Sequence, residues 1–243
     1  GAVSEMRDVF ERDDEIDEGN RRRLMETLLK PQTYSKEEND VIDNATRKFA
    51  ELGGFKDLTS PDKLVNMDVV FVPGETTGVL RGRTIVDAPI AEVAAWEMSK
   101  MSRENLKIHR DFGGLEKGLE WENEHKNVYQ VVYTVPLPGF DPREFCVEQV
   151  WKWKTAGELM LAARDTGQRP IDTSMKKYVV GSSTAWWVYK SLEATGGGVS
   201  QTQVTYTQHV DMRGALPGFI QNTTGVGMLM YLSDMRLRFD HSV

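Results

Sequence analysis

Val204-Thr-Tyr-Thr-Gln-His-Val-Asp-Met-Arg-Gly-Ala-Leu-Pro217 is the stretch that decides the fold, because a strand pattern passes into a helical one within it. Alternate residues of a strand point to the same face, so Tyr206 and Gln208 share a face with the apolar residues on either side. Proline is favoured in the first turn of a helix. The stretch therefore predicts a strand from Gln201 to Val210, followed by a helix from Pro217 to Arg238.

The chain before this stretch alternates repeatedly between apolar and polar residues, which is typical of half-buried strands. The predicted strands are Val69 to Val72, Val79 to Val86, Gly118 to Glu124, Val128 to Val135, Phe145 to Lys154, Glu158 to Asp165 and Val179 to Leu192. One helix interrupts them, from Pro89 to about Met101. Consecutive strands without intervening helices indicate an antiparallel sheet, so we expect an α+β fold in which a curved sheet surrounds a long C-terminal helix.

Two parts are expected along the 243-residue chain, a charged N-terminal extension over residues 1–34 and a single domain over residues 35–243. The extension carries few apolar residues, which predicts a helical or partly disordered segment. The motif Ser35-Lys-Glu-Glu38 has the form of a capping box, which marks the start of a helix. The apolar residues keep helical spacing until Gly53-Gly54, where the helix should stop.

The order of these elements resembles the START family, the lipid-transfer domains related to the steroidogenic acute regulatory protein. Pro142-Arg-Glu-Phe145 is similar to the Pro-Arg-Asp-Phe element of the family, and the stretch from Val204 to Pro217 is similar to its last strand and helix entry. The resemblance extends over residues 38 to 238. It implies a helix-grip fold with an internal cavity for one lipid.

The strand from Phe145 to Lys154 indicates which residues would face such a cavity. Its odd positions are mostly apolar, whereas its even positions carry most of the charge, so the odd face is the inner one. Gln149 lies on this inner face and needs a hydrogen-bond partner, since an unsatisfied buried amide costs about 1–3 kcal/mol. A satisfied core glutamine and a ligand contact are equally compatible with the pattern, and Tyr206 presents the same two alternatives.

The resemblance also implies which lipids are recognised. Arg103 matches an arginine of the family, but Lys107 replaces the acid that follows it. Gln130 and Phe145 match positions of the aromatic cage of phosphatidylcholine-binding relatives, and the loss of one ring weakens a cation–π site. The charged pair of sterol-type relatives is absent, and ceramide-type relatives match only in part. An arginine favours phosphate or carboxylate, so we expect an anionic phospholipid or a fatty-acid-like ligand rather than a sterol or ceramide.

The C-terminal helix is expected to move away from the sheet so that the lipid can enter and leave the cavity. Gly225 and Gly227 lower its intrinsic helix stability, although they could instead allow the helix to approach the sheet closely. The residues expected to bind the lipid are Arg103, Gln130, Phe145, Gln149, Trp151, Trp186, Tyr206, Phe219, Val226 and Met230.

Composition excludes several other functions. A net charge of −7 argues against a nucleic-acid partner. The single cysteine, Cys146, fits a reducing compartment, so we expect a cytoplasmic protein. The resemblance to lipid-transfer domains implies transient contact with membranes, and we expect a monomer. The histidines do not have metal-ligand spacing, and no cofactor is predicted. The alternatives are a cyclase-like helix-grip enzyme and an interaction module that binds no ligand.

Overall fold

The computed structural model describes residues 16–75, 77–192, 198–214 and 216–240. The helices are α1 (residues 16–28), α2 (Lys36–Ala50), α3 (Ile90–Met98), α4 (Arg103–Asp111), α5 (Gly218–Leu229) and α6 (Tyr231–Arg238). The strands are β1 (Lys56–Leu58), β2 (Asn66–Val70), β3 (Val79–Val86), β4 (Gly114–Trp121), β5 (Lys126–Tyr133), β6 (Arg143–Thr155), β7 (Glu158–Asp165), β8 (Val179–Val180), β9 (Ser182–Leu192) and β10 (Gln201–Asp211).

The strands form one large curved sheet in the order β1-β2-β3-β10-β9-β7-β6-β5-β4. All of these neighbours pair antiparallel, and the short strand β8 adds a parallel pairing with β6. The predicted α+β fold with a curved antiparallel sheet is confirmed. Within the described ranges, the helices are too short or too polar to cross a bilayer.

Helices cover both faces of the sheet. The buried face of α2, with Ile42 and Phe49, packs against β6, β7 and β9 on what we call the outer face. Helices α3, α5 and α6 pack on the opposite, inner face, where the larger core cluster includes Trp96 of α3 and Leu232 of α6.

The start of α2 agrees with the sequence prediction. The Ser35 hydroxyl accepts a hydrogen bond from the backbone N–H of Glu38, and the Glu38 carboxylate accepts one from the N–H of Ser35. This capping box satisfies two N–H groups that have no partner inside the helix.

Helix α4 was not predicted, although its start has a clear local cause. The Ser102 side chain accepts a hydrogen bond from the N–H of Asn105, as an N-cap residue does. The helix has only nine residues and is largely polar, so its buried residues form no continuous apolar stripe. Its inward face presents Asn105 and His109, both of which are buried.

The predicted C-terminal helix is divided in two. Helix α5 ends at Leu229, and α6 begins at Tyr231. The N–H of Met230 donates to Gly227 O, and the N–H of Ser233 donates to Met230 O, so both bonds span three residues instead of four. The helical hydrogen bonding is therefore tighter at Met230, where the two helices meet.

The described part of the N-terminal extension packs on the domain. Leu28 of α1 is 0% exposed, and its carbonyl accepts a hydrogen bond of 2.7 Å from Trp153 Nε1. Arg21 pairs with Glu104 of α4 at 3.8 Å. Residues 1–15 of the predicted extension lie outside the described ranges.

Candidate functional site

A pocket of about 380 Å³ lies between the inner face of the sheet and helices α4, α5 and α6. Its apolar wall comes from residues on neighbouring strands. Val131 of β5 lies opposite Phe145 of β6, and Ala163 of β7 lies opposite Ala185 of β9. Directly paired residues of an antiparallel sheet share a face, so these side chains form a continuous surface.

One end of the wall is aromatic. The rings of Trp187 and Tyr206 are stacked, with centroids 3.8 Å apart. The Tyr206 hydroxyl donates to Gln208 Oε1, and Gln208 Nε2 donates to the carbonyl of Gly225. Burial raises the pKa of Tyr206, so its hydroxyl stays protonated. This chain of hydrogen bonds ties β10 to α5 across the edge of the pocket.

A buried ion pair forms part of the polar end of the pocket. Glu97 at the end of α3 is 0% exposed and pairs through Oε1 with Lys100, which is 7% exposed. The Lys100 ammonium also lies 5.3 Å from the centre of the Tyr129 ring and 5.5 Å from that of Tyr231. Within the part of the chain that the structure describes, Glu97 Oε2 has no hydrogen-bond partner. This end of the pocket therefore offers a buried carboxylate oxygen to a ligand.

Asn105 of α4 connects this polar end to the surrounding helices. Its Nδ2 donates to the carbonyls of Trp96 and Ser99, each at 3.1 Å, and its Oδ1 accepts a 2.7 Å bond from the hydroxyl of Tyr231. Its own backbone carbonyl accepts a 3.1 Å hydrogen bond from Lys117 Nζ. One asparagine thus positions groups from α3, α6 and β4.

Lys117 contributes a second amine to the pocket. Burial and, to a smaller extent, the nearby charge of Lys100 together lower its pKa to about 7, although the charge of Glu97 acts in the opposite direction. Lys107, at the edge of the same pocket, instead forms an exposed ion pair with Asp111, and hydrogen bonding to that carboxylate raises its pKa. The two lysines therefore differ in charge state near neutral pH.

His109 occupies the side of the pocket next to β5. Its ring lies 4.8 Å from that of Tyr133, edge to face. Burial lowers the pKa of His109 to about 4, and the charge of Lys117 acts in the same direction. The imidazole is therefore neutral at physiological pH.

Four of the residues expected to bind lipid line the pocket: Phe145, Gln149, Tyr206 and Met230. Gln149 Oε1 is buried and has no hydrogen-bond partner among the described residues, as with Glu97 Oε2. Two further expected residues, Trp151 and Val226, pack in or against the neighbouring core cluster.

The remaining four are placed elsewhere. Gln130 points to the outer face. There its Nε2 donates a hydrogen bond to the Glu144 carboxylate, and its Oε1 accepts one from the backbone N–H of Ile171. Trp186 packs with α2 on that same face, and its neighbour Trp187 lines the pocket instead, because successive residues of a strand alternate. Phe219 is 68% exposed. Arg103 is not among the pocket-lining residues, and its backbone N–H donates to Asp17 of α1.

Sequence reasoning missed the polar end. Glu97 is not among the residues expected to bind the lipid, although a carboxylate near the end of the mostly apolar helix Ile90–Met98 is a usable signal. Lys117 pairs directly with Val131 in the sheet, so the strand alternation places it on the pocket side. Asn105 had no such signal, because its role depends on where α4 lies against α3.

Other chemistry finds little support among the described residues. They contain no cluster of His, Cys, Asp and Glu side chains that could hold a metal ion. Cys146 is buried, and this burial raises the pKa of its thiol to about 11, which makes it a poor nucleophile.

No protein-family model and no curated protein matches this sequence. Solved structures do match. The human StAR-related lipid transfer protein 5 aligns with a TM-score of 0.64 and 15% identity, over 84% of this chain and 95% of that one. The lipid transfer and protein localization domain of human StarD13 aligns with a TM-score of 0.59 and 15% identity, over 86% of this chain and 100% of that one.

A bacterial protein shows the same likeness. A fragment of the STAR-related lipid transfer protein from Xanthomonas axonopodis aligns with a TM-score of 0.60 and 14% identity, over 77% of this chain and 99% of that one. The fold of this chain is therefore START-like, as its sequence predicted.

Proposed function

We propose that this chain binds one amphipathic lipid in the inner-face pocket and carries it between membranes or senses it. The observation that carries the proposal is the division of the pocket into an apolar wall and a buried polar end. An acyl chain lies against Phe145, Val147 and Ala185, and the headgroup meets Lys100 and Lys117. Binding pockets for small molecules combine apolar walls with a few placed polar groups in this way.

The charges at the polar end favour an anionic headgroup. Lys100 and Lys117 bring two amines, whereas Glu97 brings one carboxylate. A bound carboxylate would favour the protonated form of Lys117, since an opposite charge within a few ångströms stabilises an ammonium group. The unpartnered Glu97 Oε2 can accept a hydrogen bond from a hydroxyl of the ligand or from a water.

The size of the pocket favours a compact lipid. Its volume of about 380 Å³ is near the lower end of the range of about 300–1,000 Å³ for small-molecule pockets. A fatty acid suits this volume better than a phospholipid with two acyl chains, so we narrow the expected ligand to a fatty-acid-like molecule.

Exchange with a membrane is energetically feasible for such a ligand. Burying a methylene group is worth about 0.8 kcal/mol relative to water, but the bilayer offers the same gain, so transfer into the protein is close to neutral. The similar structures are described as lipid transfer proteins and domains, which supports the same activity here. The proposal includes a monomer in the cytoplasm that contacts the membrane transiently.

Native mass spectrometry tests the proposal. The protein is mixed with vesicles that contain palmitate, separated from them and weighed, and we expect one palmitate per chain. Ala185→Phe would fill the pocket and should abolish this complex, whereas Met175→Phe, at a position that is 93% exposed, should retain it. Melting curves of both variants show whether they fold. Palmitate bound equally by both folded variants, or by neither variant nor the wild type, would contradict the proposal.

A further inference from the structure

The lysine amines in the pocket differ in their hydrogen-bond and ion-pair partners. Among the described residues, three lysines line the pocket. The amine of Lys100 is held by the buried carboxylate of Glu97, and that of Lys107 is held by Asp111 at 2.5 Å. Lys117 Nζ instead donates to a neutral backbone carbonyl, that of Asn105. Of the three, Lys117 is thus the amine without a carboxylate partner among the described residues.

The surroundings of Lys117 suit a nucleophile. Its strand neighbour across β5 is the apolar Val131, and its amine lies 5.7 Å from the centre of the Tyr129 ring. The cation of Lys100 is part of the same pocket end. Removal from water and a neighbouring cation are the two conditions that activate a lysine for reaction with carbonyl compounds.

We propose that Lys117 forms a Schiff base with long-chain aldehydes that enter the pocket, so that the protein captures reactive lipid aldehydes covalently and reversibly. This inference rests on the proposed function, because the alkyl chain of the aldehyde occupies the place proposed for the lipid. The ligand class is an aldehyde with one long apolar chain.

The reaction needs no further reagent. The lone pair of Lys117 Nζ attacks the carbonyl carbon, and the carbonyl oxygen takes up a proton to give a carbinolamine. The nitrogen lone pair then forms the C=N bond as the oxygen leaves. Both hydrogens of the neutral amine end on the departing water, so amine and aldehyde become imine and water with no change in oxidation state.

The protonation state of Lys117 supports this chemistry. With a pKa of about 7, about half of the Lys117 amines are neutral at pH 7. An ordinary lysine, with a pKa near 10.4, is neutral in only about one molecule in 2,500 at that pH. Lys107 resembles an ordinary lysine in this respect and stays protonated at pH 7, because its pKa is raised.

Reductive trapping tests the inference. The full chain is incubated at pH 7 with hexadecanal and sodium cyanoborohydride, and the alkylated residue is identified by peptide mass mapping. We expect one alkyl group per chain, on Lys117. Lys117→Arg keeps a positive charge but removes the primary amine, so it should reduce trapping by about tenfold or more. Lys36→Met, in α2 on the outer face and with a side chain that is 90% exposed, should retain trapping. Hexadecanol in excess should compete, because it occupies the same pocket without reacting.

The outcomes separate the two proposals. Binding of palmitate or hexadecanol at one per chain, together with alkylation spread over exposed lysines, would overturn the Schiff base and leave the lipid-binding function standing. Alkylation of Lys117 that hexadecanol does not reduce would also overturn it, since the pocket would then play no part. If neither the alcohol, the acid nor the aldehyde binds, both proposals fail. A melting curve of Lys117→Arg confirms that the variant is folded.

Discussion

Gly225 of α5 lies directly against Leu80 of β3, so that a Cβ atom on Gly225 would overlap Leu80 Cδ1. Two residues further along, a Cβ atom on Gly227 would come within 2.8 Å of the ring of Phe112. These glycines therefore let α5 approach the sheet and α4 closely. This contact geometry supports close packing as their role, rather than a lower intrinsic cost of opening the helix.

The first prediction concerns these glycines. Gly225→Ala should destabilise the protein by about 1–3 kcal/mol, because the buried Leu80 side chain has to move and the core is overpacked. Gly19→Ala is the matched control. Gly19 is also helical, but among the described residues no atom outside its neighbours and its own helix backbone lies within 4 Å of the added methyl, so the substitution should stabilise the protein by about 0.5–1 kcal/mol. Urea denaturation measures both changes, and a stabilising effect of Gly225→Ala would contradict the packing role.

The buried ion pair should behave as a unit. Glu97→Leu leaves the Lys100 ammonium without its carboxylate, and removal of one partner of a buried pair costs about 3–5 kcal/mol. The double variant Glu97→Leu/Lys100→Met removes both charges and should be far closer to the wild type. A double-mutant cycle from denaturation curves measures the coupling. Losses that simply add would show that the two residues do not depend on each other.

Stability should depend on pH through His109. Because the pKa of His109 is lowered from 6.5 to about 4 in the folded protein, the unfolded chain binds more protons between these values. The free energy of unfolding should therefore fall as the pH is lowered from about 6.5 towards 4 and change little from this group above 6.5.

The variant His109→Gln isolates this effect. This variant lacks the titrating ring, so its free energy of unfolding should depend less on pH than that of the wild type. His209, whose pKa is also lowered by burial, titrates in both proteins and does not contribute to the difference. Denaturation at a series of pH values measures the difference between wild type and variant. Parallel curves for the two proteins across this range would exclude His109 as the source.

Two variants test whether Lys117 or Arg103 binds the headgroup of the lipid. Lys117→Met removes the amine that a bound carboxylate would hold in its protonated form, and hydrogen bonds to charged groups contribute about 1.5–3 kcal/mol, so palmitate affinity should fall about tenfold or more. Hexadecanol carries no charge and should be affected less. Arg103→Ala, outside the pocket lining, should change neither affinity. Titration calorimetry measures all three proteins, and a selective loss of palmitate in Arg103→Ala would return the headgroup role to that arginine.

Periodicity in the sequence determined the α+β fold, the strands near β3, β6, β7 and β10, and the inner faces of β6 and β10. A strand has a strict period of two, and thus Gln149 and Tyr206 could be placed on the pocket side from local sequence alone. The Ser35 capping box fixed the start of α2 for the same reason, since all of its hydrogen bonds are local.

The tertiary structure alone decided the polar end of the pocket and the packing of α5. Lys117, Asn105 and Glu97 belong to β4, α4 and α3, and their proximity depends on how these elements pack on the sheet. The low pKa of Lys117 comes from burial and from Lys100, neither of which its neighbours in sequence reveal. The role of Gly225 likewise depends on Leu80, far away in the chain, because the absence of a side chain matters only where another residue fills the space.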